Sequence, residues 1–302
     1  MRSPKPALDF RLAAALCLLA GASLVSAQVF KQGIDLVVVS TSVVDQGGRP
    51  VLGLQREDFA VFEDGVERTI SQFTGERLPI SLGILVDTSD SMFGDRMVEA
   101  RRAIDRFVLE LLQPEDEAFL MVFNHEPELV RGWTQPTREL AGRLDGAKPF
   151  GGTSLYDAVI RTAPLLSKRR HQRCGLVIVS DGEDTASDAK RQDALAALAR
   201  TDAFVYAIAI DAPSGPAINR RFSPEALREI TGQNGGYTAV IERSDALTAA
   251  TERIATELNH QYTLGFASPN GHDGKYHLLR VRLRDRSQVA RSRRGYFAIP
   301  RE

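Results

Sequence analysis

One stretch does most to limit what this chain can fold into: residues 80–92, ISLGILVDTSDSM. Ile84-Leu85-Val86 is an apolar run without polar alternation. That is how a strand buried on both faces reads, and such strands belong to parallel sheets covered by helices. The run then stops at Asp87, Ser89 and Ser91, three short oxygen-bearing side chains two residues apart. In an open α/β sheet, ligands sit in the crevice beyond the carboxyl ends of the strands. Oxygen donors crowded there suit a hard cation such as Mg²⁺, which takes oxygen ligands in near-octahedral geometry. A helix N-cap is the alternative reading, because Ser and Asp favour caps, although a cap uses one such residue and not three.

The rest of the chain supplies a frame for that strand. Between residues 78 and 258, apolar strands alternate with amphipathic stretches, which predicts a doubly wound, mainly parallel sheet with helices on both faces. Helices are expected over 96–112, near 139–144, and over 154–166, 187–200, 223–230 and 244–258. Ser187, Ser223 and Ser244 are the expected caps of the last three. The flanks read as β. Residues 28–77 contain a long β-branched run and a hairpin signal at Asp64-Gly65. Residues 259–302 contain expected strands at 262–266, 277–283 and 288–298. Each flank is too small to stand alone, so the two are expected to form one small β module.

With 302 residues the chain can bury a sizeable core. Its formal net charge of −1 gives no bulk attraction to nucleic acid or to an anionic membrane. Arg2, Lys5 and Arg11 precede an apolar run that ends in Val25-Ser26-Ala27, the pattern of a cleaved export signal at 1–27, cut near Ala27. The run is short of the roughly 20 residues a membrane span needs, and no later segment is longer, so the mature chain is expected to have no transmembrane helix. A secreted or periplasmic protein is the expectation. Of the two cysteines, Cys17 lies in that signal, leaving Cys174 alone in an apolar run, where a small buried residue is the simple reading.

Two further oxygen-rich turns fall where a parallel sheet would bring them beside Asp87. One is Gly151-Gly152-Thr153, before the helix expected from 154. The other is Ser180-Asp181-Gly182, after a buried strand. The order and spacing of Asp87-x-Ser89-x-Ser91, Thr153 and Asp181 resemble the metal-ion-dependent adhesion site of von Willebrand factor type A domains. The resemblance covers about residues 78–258; the flanking motifs around Asp64-Gly65 and Gly295-Tyr296 look like those of bacterial secreted proteins that carry such a domain. It implies a divalent cation, Mg²⁺ with Mn²⁺ or Ca²⁺ as alternatives, held by Asp87, Ser89, Ser91, Thr153 and Asp181. It implies a non-enzymatic binding module, whose partner protein completes the ion's shell with a Glu or Asp carboxylate. The alternative is a structural subunit of an envelope or secretion assembly, in which the ion mainly stabilises. Asp90 departs from the pattern, where the family often has Gly.

Other signals are weaker. The run from Gly146 to Thr153 resembles a phosphate-binding loop but has Gly152 where the lysine belongs. The five histidines have no zinc-ligand spacing, and no Gly-x-Ser-x-Gly elbow exists. Asp157 reads as support for the metal loop or as an ordinary first-turn acid, and Glu183 and Asp184 as plain loop charges, with lining of the site's rim as the alternative. Arg280, Arg282 and Arg284 share one face of a strand; a solvated face is the simple reading, and an anionic surface the alternative.

Overall fold

The structure is a computed structural model that describes residues 36–211, 222–270, 272–298 and 300. The export signal read at 1–27, with Cys17, and the start of the N-terminal β segment lie outside the described residues.

The described residues open with four strands, β1 (Leu36–Val44), β2 (Phe59–Glu63), β3 (Val66–Arg68) and β4 (Ile70–Thr74). Asp64 and Gly65 both take positive φ between β2 and β3, the conformation a two-residue hairpin demands. β5 (Ile80–Asp87) follows and is buried at every position. It lies inside a sheet that also contains β6 (Glu117–Phe123), β7 (Pro127–Thr134), β8 (Arg173–Ser180), β9 (Phe204–Ile210) and β10 (Thr238–Ile241). The order is β10-β9-β8-β5-β6-β7, and every pairing is parallel except that of β7.

Among the described residues, five α-helices cover this sheet: α1 (Asp95–Arg106), α2 (Leu155–Leu166), α3 (Arg191–Ala199), α4 (Glu225–Gln233) and α5 (Ser244–Asn259). Alternate residues of β5 feed two separate cores. Leu82, Ile84 and Val86 pack with α1 and α5, while Leu85 packs with α2, α3 and α4. Gly83 faces the second core, where a Cβ would come within 2.6 Å of the Phe119 ring. The fold is thus the doubly wound α/β class expected from the sequence.

The two flanks meet in a β module, the second part of that expectation. It uses β11 (Tyr262–Ala267), β12 (Tyr276–Leu283), β13 (Val289–Arg291) and β14 (Gly295–Phe297). One sheet runs β13-β1-β11-β4, the other β14-β12-β2-β3, and both are antiparallel. Val39, Val61, Leu264, Phe266, Val281 and Tyr296 fill a shared core.

Several local expectations are corrected. Residues 288–298 are not one strand: the chain switches sheets after Arg291, so β13 joins β1 and β14 joins β12. Residues 137–140 form a short 3-10 turn in place of a helix over 139–144. β7 was not anticipated, since an edge strand with one wet face lacks the apolar signal. The first helix ends at Arg106 and continues as a π turn, Phe107–Leu111. None of the three expected caps serves its helix. Ser187 lies before α3 and instead accepts from the backbone N–H groups of Tyr156 and Asp157 at 3.0 and 3.2 Å, capping α2. Ser223 bonds the Glu225 side chain, and Ser244, already inside α5, donates to Glu99. Among the described residues no helix is long and apolar enough to cross a membrane.

Candidate metal site

Asp87 is the last residue of β5, and Ser180 the last of β8. The two strands are neighbours in parallel register, with Val86 opposite Val179, so Asp87, Ser180 and Asp181 share the carboxyl edge of the sheet. Asp87 is wholly buried. Its Oδ1 accepts from the Ser89 backbone N–H at 2.8 Å, and its Oδ2 accepts from the Ser180 hydroxyl at 2.6 Å. The Ser89 and Ser91 hydroxyls lie 2.9 Å apart, hydrogen-bonded to each other.

The Thr153 loop is stitched to this turn through its backbone. Asp90 N–H donates to the Gly151 carbonyl at 3.0 Å, and Phe150 N–H donates to the Thr88 carbonyl at 3.0 Å. On its other side, the Thr153 carbonyl accepts from Thr185 and Ala186 N–H at 2.8 and 3.0 Å. Gly151 takes φ +76°, and a Cβ on Gly152 would come within 2.8 Å of Ala186. Thr153 itself is buried. The structure therefore brings Asp87, Ser89, Ser91, Thr153 and Asp181 to one sheet edge, within three loops that bond to one another. Asp90 is exposed.

Asp181 has the partner that sequence reasoning missed. Arg96, in the first turn of α1 and almost wholly buried, donates from Nη1 to Asp181 Oδ2 at 2.8 Å and to the Ser91 carbonyl at 2.9 Å. Its Nη2 stands 3.7 Å from Asp211, just beyond β9. A cation in the first turn of a helix opposes the helix dipole, which was the one signal available in the sequence. Ser180 was also missed, because its role is to hold Asp87 from the neighbouring strand.

The electrostatics are short of positive charge. Burial pushes the Asp87 carboxyl up to about 7, aided by the nearby Asp181 charge and opposed by hydrogen bonds from Ser180 and Ser89. Burial also raises Asp181, opposed by the Ser91 hydroxyl and Arg96. The Asp181 Oδ1 atom is buried and has no hydrogen-bond partner among the described residues, while the Ser91 hydroxyl bonds Ser89. Among the described residues no cluster of three or more His, Cys, Asp and Glu makes a candidate metal site. What stands here is two carboxylates and neutral hydroxyls, an oxygen-only donor set that fits a hard divalent cation.

The neighbouring acids have structural work. Asp157 accepts from Asp188 and Ala189 N–H at 2.9 and 3.0 Å, so it ties the loop after Asp181 to α2. Asp184, read as a loop charge, accepts from Tyr156 N–H at 3.0 Å and from Ser187. Cys174 is buried, and burial pushes its thiol up, away from thiolate chemistry. Two large apolar side chains flank the site loops: Phe93, 65% exposed, and Phe150, 54% exposed.

Residues 82–183 match the von Willebrand factor type A domain family. No curated protein matches the chain. Among solved structures, a von Willebrand factor type A protein from Catenulispora acidiphila is 12% identical with a TM-score of 0.52, covering 80% of this chain and 72% of that one. The conserved hypothetical protein BatB from Bacteroides thetaiotaomicron is 18% identical with a TM-score of 0.50, over 59% of this chain and 98% of that one. An aerotolerance-related membrane protein from Bacteroides fragilis is 18% identical with a TM-score of 0.51, over 60% and 98%. At these identities the likeness concerns the fold.

Proposed function

Because the chain carries a von Willebrand factor type A domain, we propose that it is a protein-interaction module working through a divalent cation at the Asp87 edge. Mg²⁺ is the favoured ion. Asp87, Ser89, Ser91, Thr153 and Asp181 hold it. One observation supports this above others: two buried carboxylates, Asp87 and Asp181, of which only Asp181 meets a guanidinium, stand beside serine hydroxyls at a ligand-binding sheet edge. When bound, the ion supplies a positive face that a Glu or Asp carboxylate of a partner protein completes. The chain's own residues do the rest. Ser180 and the Ser89 backbone fix Asp87, the Gly151–Asp90 bond fixes the Thr153 loop, and Arg96 fixes Asp181. Phe93 and Phe150 offer the exposed apolar anchors on which protein contacts concentrate their energy.

The reading is of a binding module: the two serine hydroxyls bond each other and stand beside the Asp87 and Asp181 carboxylates, as ligands converging on one ion would. An exported location goes with it, on the strength of the signal expected at 1–27. The test is capture of partner protein from an extracellular fraction in Mg²⁺, its release by chelator, and its loss in Asp87→Ala. Capture indifferent to chelator overturns the reading. A melting temperature that rises with Mg²⁺, combined with capture unaffected by Asp87→Ala, supports the structural-subunit alternative instead.

A further inference from the structure

The β module carries a second feature that the metal site does not use. A groove of about 780 Å³ runs beside β12, lined among others by Phe62, Arg280, Arg282 and Arg294. A second hollow of about 650 Å³ continues it past Arg284 and Arg286, and the two share Val281, Arg282 and Ala290. No Asp or Glu lines either part. In a chain with 38 basic and 39 acidic residues, that is a local concentration of one sign.

Arg280, Arg282, Arg284, Arg286 and Arg294 are exposed. Elsewhere the chain's arginines are widely used in ion pairs, as at Arg68, Arg77, Arg96 and Arg291. Among the described residues, none of these five makes one. Arg282 alone has a side-chain partner, the Phe62 ring at 5.1 Å, which braces its guanidinium. Glu67, opposite Phe62 on β3, shares that face one strand beyond Phe62.

We propose that this trough docks an extended acidic segment of a partner protein, with Asp or Glu at alternate positions. The spacing favours it. Arg280, Arg282 and Arg284 recur every second residue, so they stand about 6.7 Å apart, which is also the spacing of alternate side chains on an extended peptide. Each guanidinium fork donates bidentately to a carboxylate, and a run of such pairs fixes register as well as sign. The concave lining suits a single chain better than a flat bilayer. The proposal is independent of the metal reading, and its test is run in chelator so that the two fail separately.

The test is fluorescence anisotropy with a labelled Glu-Thr repeat peptide of about nine residues, against the full chain. Wild type binds it, and affinity falls as salt is raised from roughly 50 to 200 mM. The variant R280Q/R282Q/R284Q, exposed at all three positions, loses at least about tenfold in affinity, and Arg282→Lys loses less. A peptide of equal charge with its glutamates contiguous binds more weakly. Equal binding by the triple variant, with its melting temperature unchanged, overturns the proposal. So does failure of the alternating peptide while oligogalacturonate or phosphatidylglycerol vesicles bind.

Discussion

At the residue scale, Arg96 and Asp181 set the terms of the site. Arg96 neutralises Asp181 from inside the pocket, so it would compete with the proposed divalent cation for the same carboxylate. Arg96→Met is expected to bind Mg²⁺ at least about tenfold more tightly by calorimetry, because the competing charge is gone. Its metal-free form is expected to lose about 3 kcal/mol in denaturant unfolding, since one partner of a buried ion pair has been removed. Unchanged metal affinity would mean that Arg96 is only structural. Gly182 makes a second point. It takes φ +91°, and a Cβ there would collide with the Ser223 carbonyl oxygen. Gly182→Ala should therefore cost roughly 1–3 kcal/mol by the same assay, through strain and displacement of the loop bearing Asp181. The five oxygen-bearing residues could be read from the sequence because each sits at a strand end or a glycine turn. Arg96 and Ser180 could not, because what defines them is a contact across the fold: 85 residues separate Arg96 from Asp181, and 93 separate Ser180 from Asp87.

At the scale of elements, the buried strands were legible and the edges were not. β5 and β8 announce themselves because both faces are covered and every residue is buried. β7 and the β13–β14 break carry no such mark, since an edge strand and a change of sheet are decided by what packs beside them. The capping serines show the same limit, as Ser187 finds orphan N–H groups on α2 nearer than those of α3. The β2–β3 hairpin is tied to β12 by His277, which lies between Asp64 at 2.7 Å and Asp273 at 2.9 Å. Burial works against protonation of His277, but hydrogen bonds it donates to the two carboxylates outweigh it and raise its pKa. A histidine raised on folding stabilises fully below its unfolded pKa, and that stabilisation fades as pH rises through the folded value. The melting temperature is therefore expected to fall as pH rises above about 6.5, and His277→Gln should flatten that dependence. A melting temperature that rises over this interval in the wild type, or an equal slope in the variant, would contradict the assignment.

At the scale of the whole molecule, α5 couples the six-stranded sheet to the β module. Glu257 on α5 is wholly buried and is met by Arg291 of β13 at 3.2 Å, by Arg253 at 3.4 Å and by the Ser42 hydroxyl of β1 at 3.4 Å. The two halves should accordingly unfold in one transition. Arg291→Met should cost about 3 kcal/mol and separate the transitions followed by probes in each half; a single transition of unchanged midpoint would show that the tether is idle. Function is argued from a different place, the five oxygen donors at the sheet edge. The most direct measurement is Mn²⁺ titration of the metal-free protein by electron paramagnetic resonance. One ion per chain, displaced by Mg²⁺ and lost in both Asp87→Ala and Asp181→Ala, is the predicted result. No stoichiometric binding, or binding that survives both substitutions, would contradict it.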